Sequence, residues 1–184
     1  MLRLSGSTSL KTTAVGVLTV GVLFIAPLAF AADTPVVQDV NGGARTAAVT
    51  GPTLAAVTTS HSAQDSTGTS ALAVDDLTGT GAGWEVSEVV TDFIYSGAYS
   101  GTDIPAANFS IVPATPTSPN SASLTGVSAG SGGTLDTARI VLSATAGNGV
   151  GSYAQDSDAT LTVPADARVG TYTATLTTTI TAAP

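Results

Sequence analysis

Cysteine is absent from the chain, and lysine occurs once, at Lys11. Without cysteine there is no disulfide, no thiolate zinc site and no cysteine nucleophile, so folding rests on core burial alone. Charge is scarce: 10% of the 184 residues are charged, 5 basic against 13 acidic, for a net of −8. That balance excludes a nucleic-acid binder, because phosphate contacts need clustered Lys and Arg. Aromatics make up 5%, with a single Trp, Trp84, and a single His, His61. Ala, Thr, Ser and Gly fill the remainder, at a length that suits one domain plus a segment outside it.

The outside segment is N-terminal. Arg3 and Lys11 form a positive region, Thr12 to Leu28 is an uncharged apolar run, and Pro27 precedes Ala29-Phe30-Ala31. Small residues at Ala29 and Ala31 complete the pattern of a secretory signal, with cleavage expected after Ala31. An uncleaved anchor is the other reading, since the run is near the roughly 17 to 20 residues that span a bilayer. No later stretch is long and apolar enough to cross a membrane, so no span is expected after cleavage. Removing residues 1–31 takes away Arg3 and Lys11 and no acid, moving the net from −8 to −10. The exported chain then holds three basic residues, Arg45, Arg139 and Arg168, and no lysine.

Residues 32–45, polar and Gly-containing, read as a flexible leader, and 46–184 as one domain. Short β-branched runs between Gly, Pro, Ser, Asn and Asp clusters indicate an all-β class, a single β-sandwich or barrel-like domain of mostly antiparallel strands. Strands are expected at 53–59, 71–76, 84–95, 108–112, 123–127, 138–144, 159–163 and 171–181. The last is the clearest: Tyr172, Ala174, Leu176, Thr178 and Ile180 share one face, with Thr on the other, so one face is buried. In 84–95, Trp84 and Val86 share one parity, Val89 and Phe93 the other. A bulge near Ser87 or Glu88 and a strand covered on both sides explain this equally. Val112–Ser121, with three prolines, must be loop or edge.

Catalytic patterns are weak. Gly126-Val127-Ser128-Ala129-Gly130 matches a nucleophile elbow by letter, but that motif needs a strand before it and a helix after it, and no helix pattern follows. His61 lies upstream of Ser128, whereas that motif places its His last. Glu85 and Glu88 form a formal carboxylate pair without a known separation. Asp75-Asp76 and Asp156-Ser157-Asp158 lack the loop that builds a calcium site. No metal, cofactor or catalytic residue is assigned, and an enzyme is not expected. Asn108-Phe109-Ser110 fits an N-glycosylation sequon.

Two segments carry a resemblance. Leu72-Ala-Val-Asp-Asp-Leu-Thr-Gly-Thr-Gly-Ala-Gly-Trp84-Glu-Val86-Ser runs from a strand through an Asp turn and glycines into a Trp-x-Val strand. Leu161-Thr-Val-Pro164 is followed by Gly170-Thr-Tyr172-Thr-Ala-Thr-Leu176-Thr-Thr178-Thr-Ile180-Thr-Ala-Ala-Pro184. Together they resemble the opening and closing signatures of the WxL-domain surface proteins of Gram-positive bacteria. The resemblance implies an all-β, non-catalytic module that associates non-covalently with peptidoglycan. It places Trp84 and Val86 at the first Trp-x-Leu motif and Thr178 and Ile180 at the second. Val86 stands where that motif has Leu, and Thr178 where it has the second Trp. Trp84, as the sole Trp of an aromatic-poor domain, also suits a core anchor.

Two functions follow. One is a secreted cell-surface module held on the wall, with peptidoglycan or other surface proteins as partners. The other is a structural subunit that forms oligomers or joins a partner by β-strand addition through residues 32–45 or a Thr-rich edge. An acidic domain is repelled by an anionic wall. Attachment therefore relies on shape, hydrogen bonds, apolar contact or bridging divalent cations.

Overall fold

In chain order the strands of the computed structural model are β1 (Arg45–Thr50), β2 (Gln64–Asp76), β3 (Trp84–Val90), β4 (Ile94–Ser96), β5 (Phe109–Pro113), β6 (Val127–Ala129), β7 (Gly133–Thr134), β8 (Arg139–Ala144), β9 (Gly151–Val163), β10 (Thr171–Thr173) and β11 (Leu176–Ala182). Residues 35–183 are described, so the expected export segment and its cleavage site at Ala31 lie outside them. The one helical element among the described residues is a short 3-10 turn, Ala106–Asn108.

One sheet has the order β1-β2-β9-β5-β7, the other β11-β3-β8-β6, and β10 with β4 forms a two-stranded ribbon. Every pairing between these strands is antiparallel. This is an all-β sandwich. Its longest ladder joins β2 to β9 along thirteen residues each, where the alternation of side chains puts Leu72, Val74, Tyr153, Ala159 and Leu161 inside. The second sheet supplies Trp84, Val86, Val90, Val141, Leu142 and Ala144. These side chains form one continuous core, the condition under which about 150 residues can fold without a cross-link.

The 84–95 ambiguity resolves in a specific way. β3 buries Trp84, Val86, Glu88 and Val90 on one face, so its parity does not switch. A register shift does occur beside Val86 and Ser87, but the extra residue, Val141, belongs to β8: Leu142 faces Val86, and Ile140 faces Ser87. Phe93 reaches the core after the ladder has ended at Val90, through an isolated bridge to Ile104. The closing segment behaves similarly. Its alternation holds from Tyr172 to Ile180, but the ladder breaks between β10 and β11, where Thr91 N–H donates to Thr175 O and Thr175 N–H donates to Thr91 Oγ1.

Residues 53–59, expected as a strand, form no ladder. Pro52 lacks an N–H, and one backbone bond, Ala55 N–H to Thr67 O, ties the segment to the rim of β2. Gly68 permits that approach: a Cβ there would lie 2.5 Å from Thr53 O. The strand expected at 123–127 is instead β6, at Val127–Ala129. Arg45, placed at the end of the leader, begins β1, and Gly43 N–H donates to Leu77 O.

Candidate functional site

The first signature begins at a buried corner. Asp76 is fully buried at the end of β2, where its carboxylate accepts Arg45 Nε and Nη2 at 3.2 and 3.1 Å. It also accepts the Thr78 amide at 2.9 Å and the Thr78 hydroxyl at 2.6 Å. Burial alone pushes this carboxyl up, but the Thr78 and Arg45 contacts together hold it below the ordinary carboxylate value. The chain then passes through glycines into β3. Gly83 has φ +75°, and a Cβ on it would lie 2.6 Å from Ala144 O, so glycine is needed for both reasons.

Trp84 is 0% exposed. Its indole N–H donates to Gly149 O at 2.9 Å, and its ring lies 5.6 Å from that of Tyr153, on the opposite sheet, at 53°. Val86 is equally inaccessible. No ring face of Trp84 is open to a ligand, and its polar atom is satisfied internally, as buried Trp requires.

The second signature lies beside the first. In the β11–β3 ladder Ile180 faces Val86, Thr178 faces Glu88 and Ala182 faces Trp84. Trp84, Val86, Thr178 and Ile180 thus occupy the inner face of two neighbouring strands, the first pair fully and the second half buried. Where the resemblance puts a second Trp, the Thr178 hydroxyl lies 3.5 Å from Glu88 Oε1. Glu88 is 2% exposed. Burial raises its carboxyl above the ordinary value, and the Thr178 hydroxyl offsets part of that rise.

The remaining candidates do not converge. Ser128 is an exposed residue of the edge strand β6, facing Ser143, and the chain continues into β7 rather than a helix. His61 Nδ1 is 2.6 Å from Asp166 Oδ1, an exposed pair. Glu85 and Glu88 point to opposite faces of β3. Asp75 accepts the Ser152 hydroxyl, while Asp156 and Asp158 are exposed along β9. No group of three His, Asp or Glu that would hold a metal occurs among the described residues. The sequon residue Asn108 is half buried and donates Nδ2–H to Thr162 O at 2.8 Å.

One concavity escaped the sequence reading. An open groove of about 670 Å³ lies between residues 54–60 and the turn 164–172, floored by Ile104, Leu161 and Val163. At one end Tyr172 packs on Tyr95 at 5.3 Å, and their hydroxyls donate to Arg168 O and Val169 O, fixing the turn. Tyr95 fits between glycines: a Cβ at Gly101 or Gly170 would come within 2.6 or 2.5 Å of its ring. The sequence signal was the Gly-Thr-Tyr172 step with Arg168 before it, four residues that nothing in the strand pattern joins to 54–60.

The fold and the buried motif define a small all-β sandwich module whose one Trp builds the core. The chain belongs to the WxL family: the family model described as "WxL domain surface cell wall-binding" matches residues 27–184. It is a surface domain of cell-wall-binding type, located at the cell wall or cell surface, in a family that is not one of enzymes. No curated protein and no solved structure matches the chain.

Proposed function

We propose that this domain attaches to the wall non-covalently, by recognising peptidoglycan, and performs no catalysis. The observation that carries the reading is the in-register pairing of the two signature strands, Ile180 on Val86 and Ala182 on Trp84. That pairing joins the two signature segments even though Thr178 stands where the resemblance puts the second Trp. Trp84 and Val86 then act as core residues that shape the sheet, and the binding surface is elsewhere on the sandwich. The test is co-sedimentation of the purified protein with isolated peptidoglycan sacculi. Retention by Trp84→Phe, in proportion to its folded fraction, supports the reading, and a parent protein left wholly in the supernatant refutes it.

A second reading, assembly by strand addition, is favoured by one feature. Val36, Val37 and Val40, ahead of β1 in the sequence and in no strand, are 97%, 79% and 91% exposed, and such apolar residues suit a donor strand. Deleting residues 32–44 would then abolish an oligomer seen by sedimentation velocity. A monomer in both forms removes this reading.

A further inference from the structure

We propose that the groove between residues 54–60 and the 164–172 turn is the wall-binding site, and that it takes a carboxylate-bearing peptide stem of peptidoglycan. This rests on the peptidoglycan reading above and names its site.

Charge distribution is the first argument. Eleven acids lie in residues 46–184, yet not one lines the groove. One basic residue does: Arg168, which is exposed. Arg45 is engaged by Asp76, and Arg139 Nε donates to Thr134 O. Arg168 is, among the described residues, the one basic side chain with neither an ion pair nor a hydrogen bond of its own. The nearest acid in sequence, Asp166, is absent from the groove lining; its Oδ1 lies 2.6 Å from His61 Nδ1, and its amide donates to Ser60 O at 2.7 Å. A surface with net repulsion for anions thus contains one donor-bearing, acid-free recess.

Unused backbone donors are the second argument. Ala56, Val57, Thr58 and Thr59 line the groove, lie in no ladder and are exposed, and among the described residues their amides donate to nothing. Their neighbours are fixed at several points: Ser66 Oγ donates to Ala55 O, Gln64 Nε2 to Thr58 O at 2.6 Å, and Thr59 Oγ1 to Ala167 O at 3.3 Å. An extended segment held in place with free amides offers a ligand backbone oxygens' natural partners, as in strand addition. A guanidinium adds the fork geometry that suits a carboxylate. The half-buried Tyr172 ring, braced by Tyr95, supplies apolar surface beside them. One unpaired cation with no acid in the lining, beside one ring and open backbone amides, matches a carboxylated peptide better than a neutral glycan.

The test uses the protein recovered from the cell surface and sacculi stripped of phosphate-containing polymers by acid, so that carboxylates are the anions left. Arg168→Glu and Ala56→Glu each place a negative charge in the groove, and Ala48→Glu places the same charge on the exposed face of β1. The expected result is retention weakened about tenfold in the two groove variants, and about threefold in Arg168→Gln, as loss of an exposed ion pair allows. Ala48→Glu should bind as the parent does, with all melting temperatures unchanged. Groove variants that bind stripped sacculi as tightly as the parent overturn the groove while leaving the peptidoglycan reading intact. Equal weakening by Ala48→Glu overturns it too, by showing general repulsion. Retention only on unstripped walls overturns the carboxylate, and no retention of the parent on either overturns both proposals.

Discussion

Thr178 faces Glu88 across the β11–β3 ladder, its hydroxyl 3.5 Å from a carboxyl that is almost wholly withdrawn from water. The second signature position therefore holds the one side-chain hydrogen-bond partner, among the described residues, of a buried acid, where the resemblance puts a large ring. Because burial raises the Glu88 carboxyl in the folded state, its contribution to stability is fully present below the unfolded value near 4.5. It is lost as pH rises through the raised folded value. Glu88→Gln should accordingly melt higher than the parent at pH 7, by about 2–4 °C for each kcal/mol relieved. The gain should vanish below about pH 4, in thermal scans from pH 3.5 to 8. Thr178→Val should melt lower at pH 7 and equal the parent in acid.

Asp76 has the opposite sign. Its folded value is lowered, so its stabilisation is present above the unfolded value of 3.8 and disappears as pH falls through the folded value. Asp76→Asn leaves Arg45 half paired in a site where side-chain exposure is 13% and 0% for the two partners. Removing one member of such a pair costs about 3–5 kcal/mol. Urea unfolding at pH 7 should show that loss, and the variant should also lack the parent's fall in stability below about pH 4.

Trp84→Ala removes a fully buried ring and leaves Gly149 O without its donor. A loss of about 3–5 kcal/mol is expected by chemical denaturation. Trp84→Phe should cost less, and its wall retention per folded molecule should equal the parent's. A selective loss of retention by folded Trp84→Phe would return Trp84 to the binding surface.

Gly83→Ala meets two obstacles at once, a positive φ and a Cβ 2.6 Å from Ala144 O. Strain of about 1–3 kcal/mol from the backbone alone is expected, with the clash added. The measured midpoint should fall by more than that of Gly79→Ala, which has a similar φ of +66° but open space around it.

Much of this fold is visible in local pattern, and the exceptions share a cause. The Thr-faced closing strand, the Asp turn with its glycines and the Trp-x-Val entry all depend on neighbours in sequence, and each lies where period-2 alternation puts it. Strand β1 was hidden because Arg45 looks like the end of a polar leader until Asp76 is set opposite it. Residues 53–59 have strand-like composition, yet a strand needs a partner, and only one ladder-like bond reaches them from β2. The bulge was sensed near Ser87 but sits on the far side of the pairing, at Val141, a residue whose own strand gave no sign of it. The groove was illegible for a similar reason. Its two walls are more than a hundred residues apart, and what marks it is a lack of acids that only three dimensions collect into one place.

The antiparallel seam between β3 and β11 has a kinetic corollary. Strand β3 has two neighbours, β8 and β11, and both come later in the chain. The apolar edge of β3 therefore remains open until residues 176–182 are free to dock. Contacts of such long sequence separation make for slow folding. The second sheet of the domain is therefore complete only once β11 has docked on β3, and the core beneath Trp84 and Val86 closes with that step.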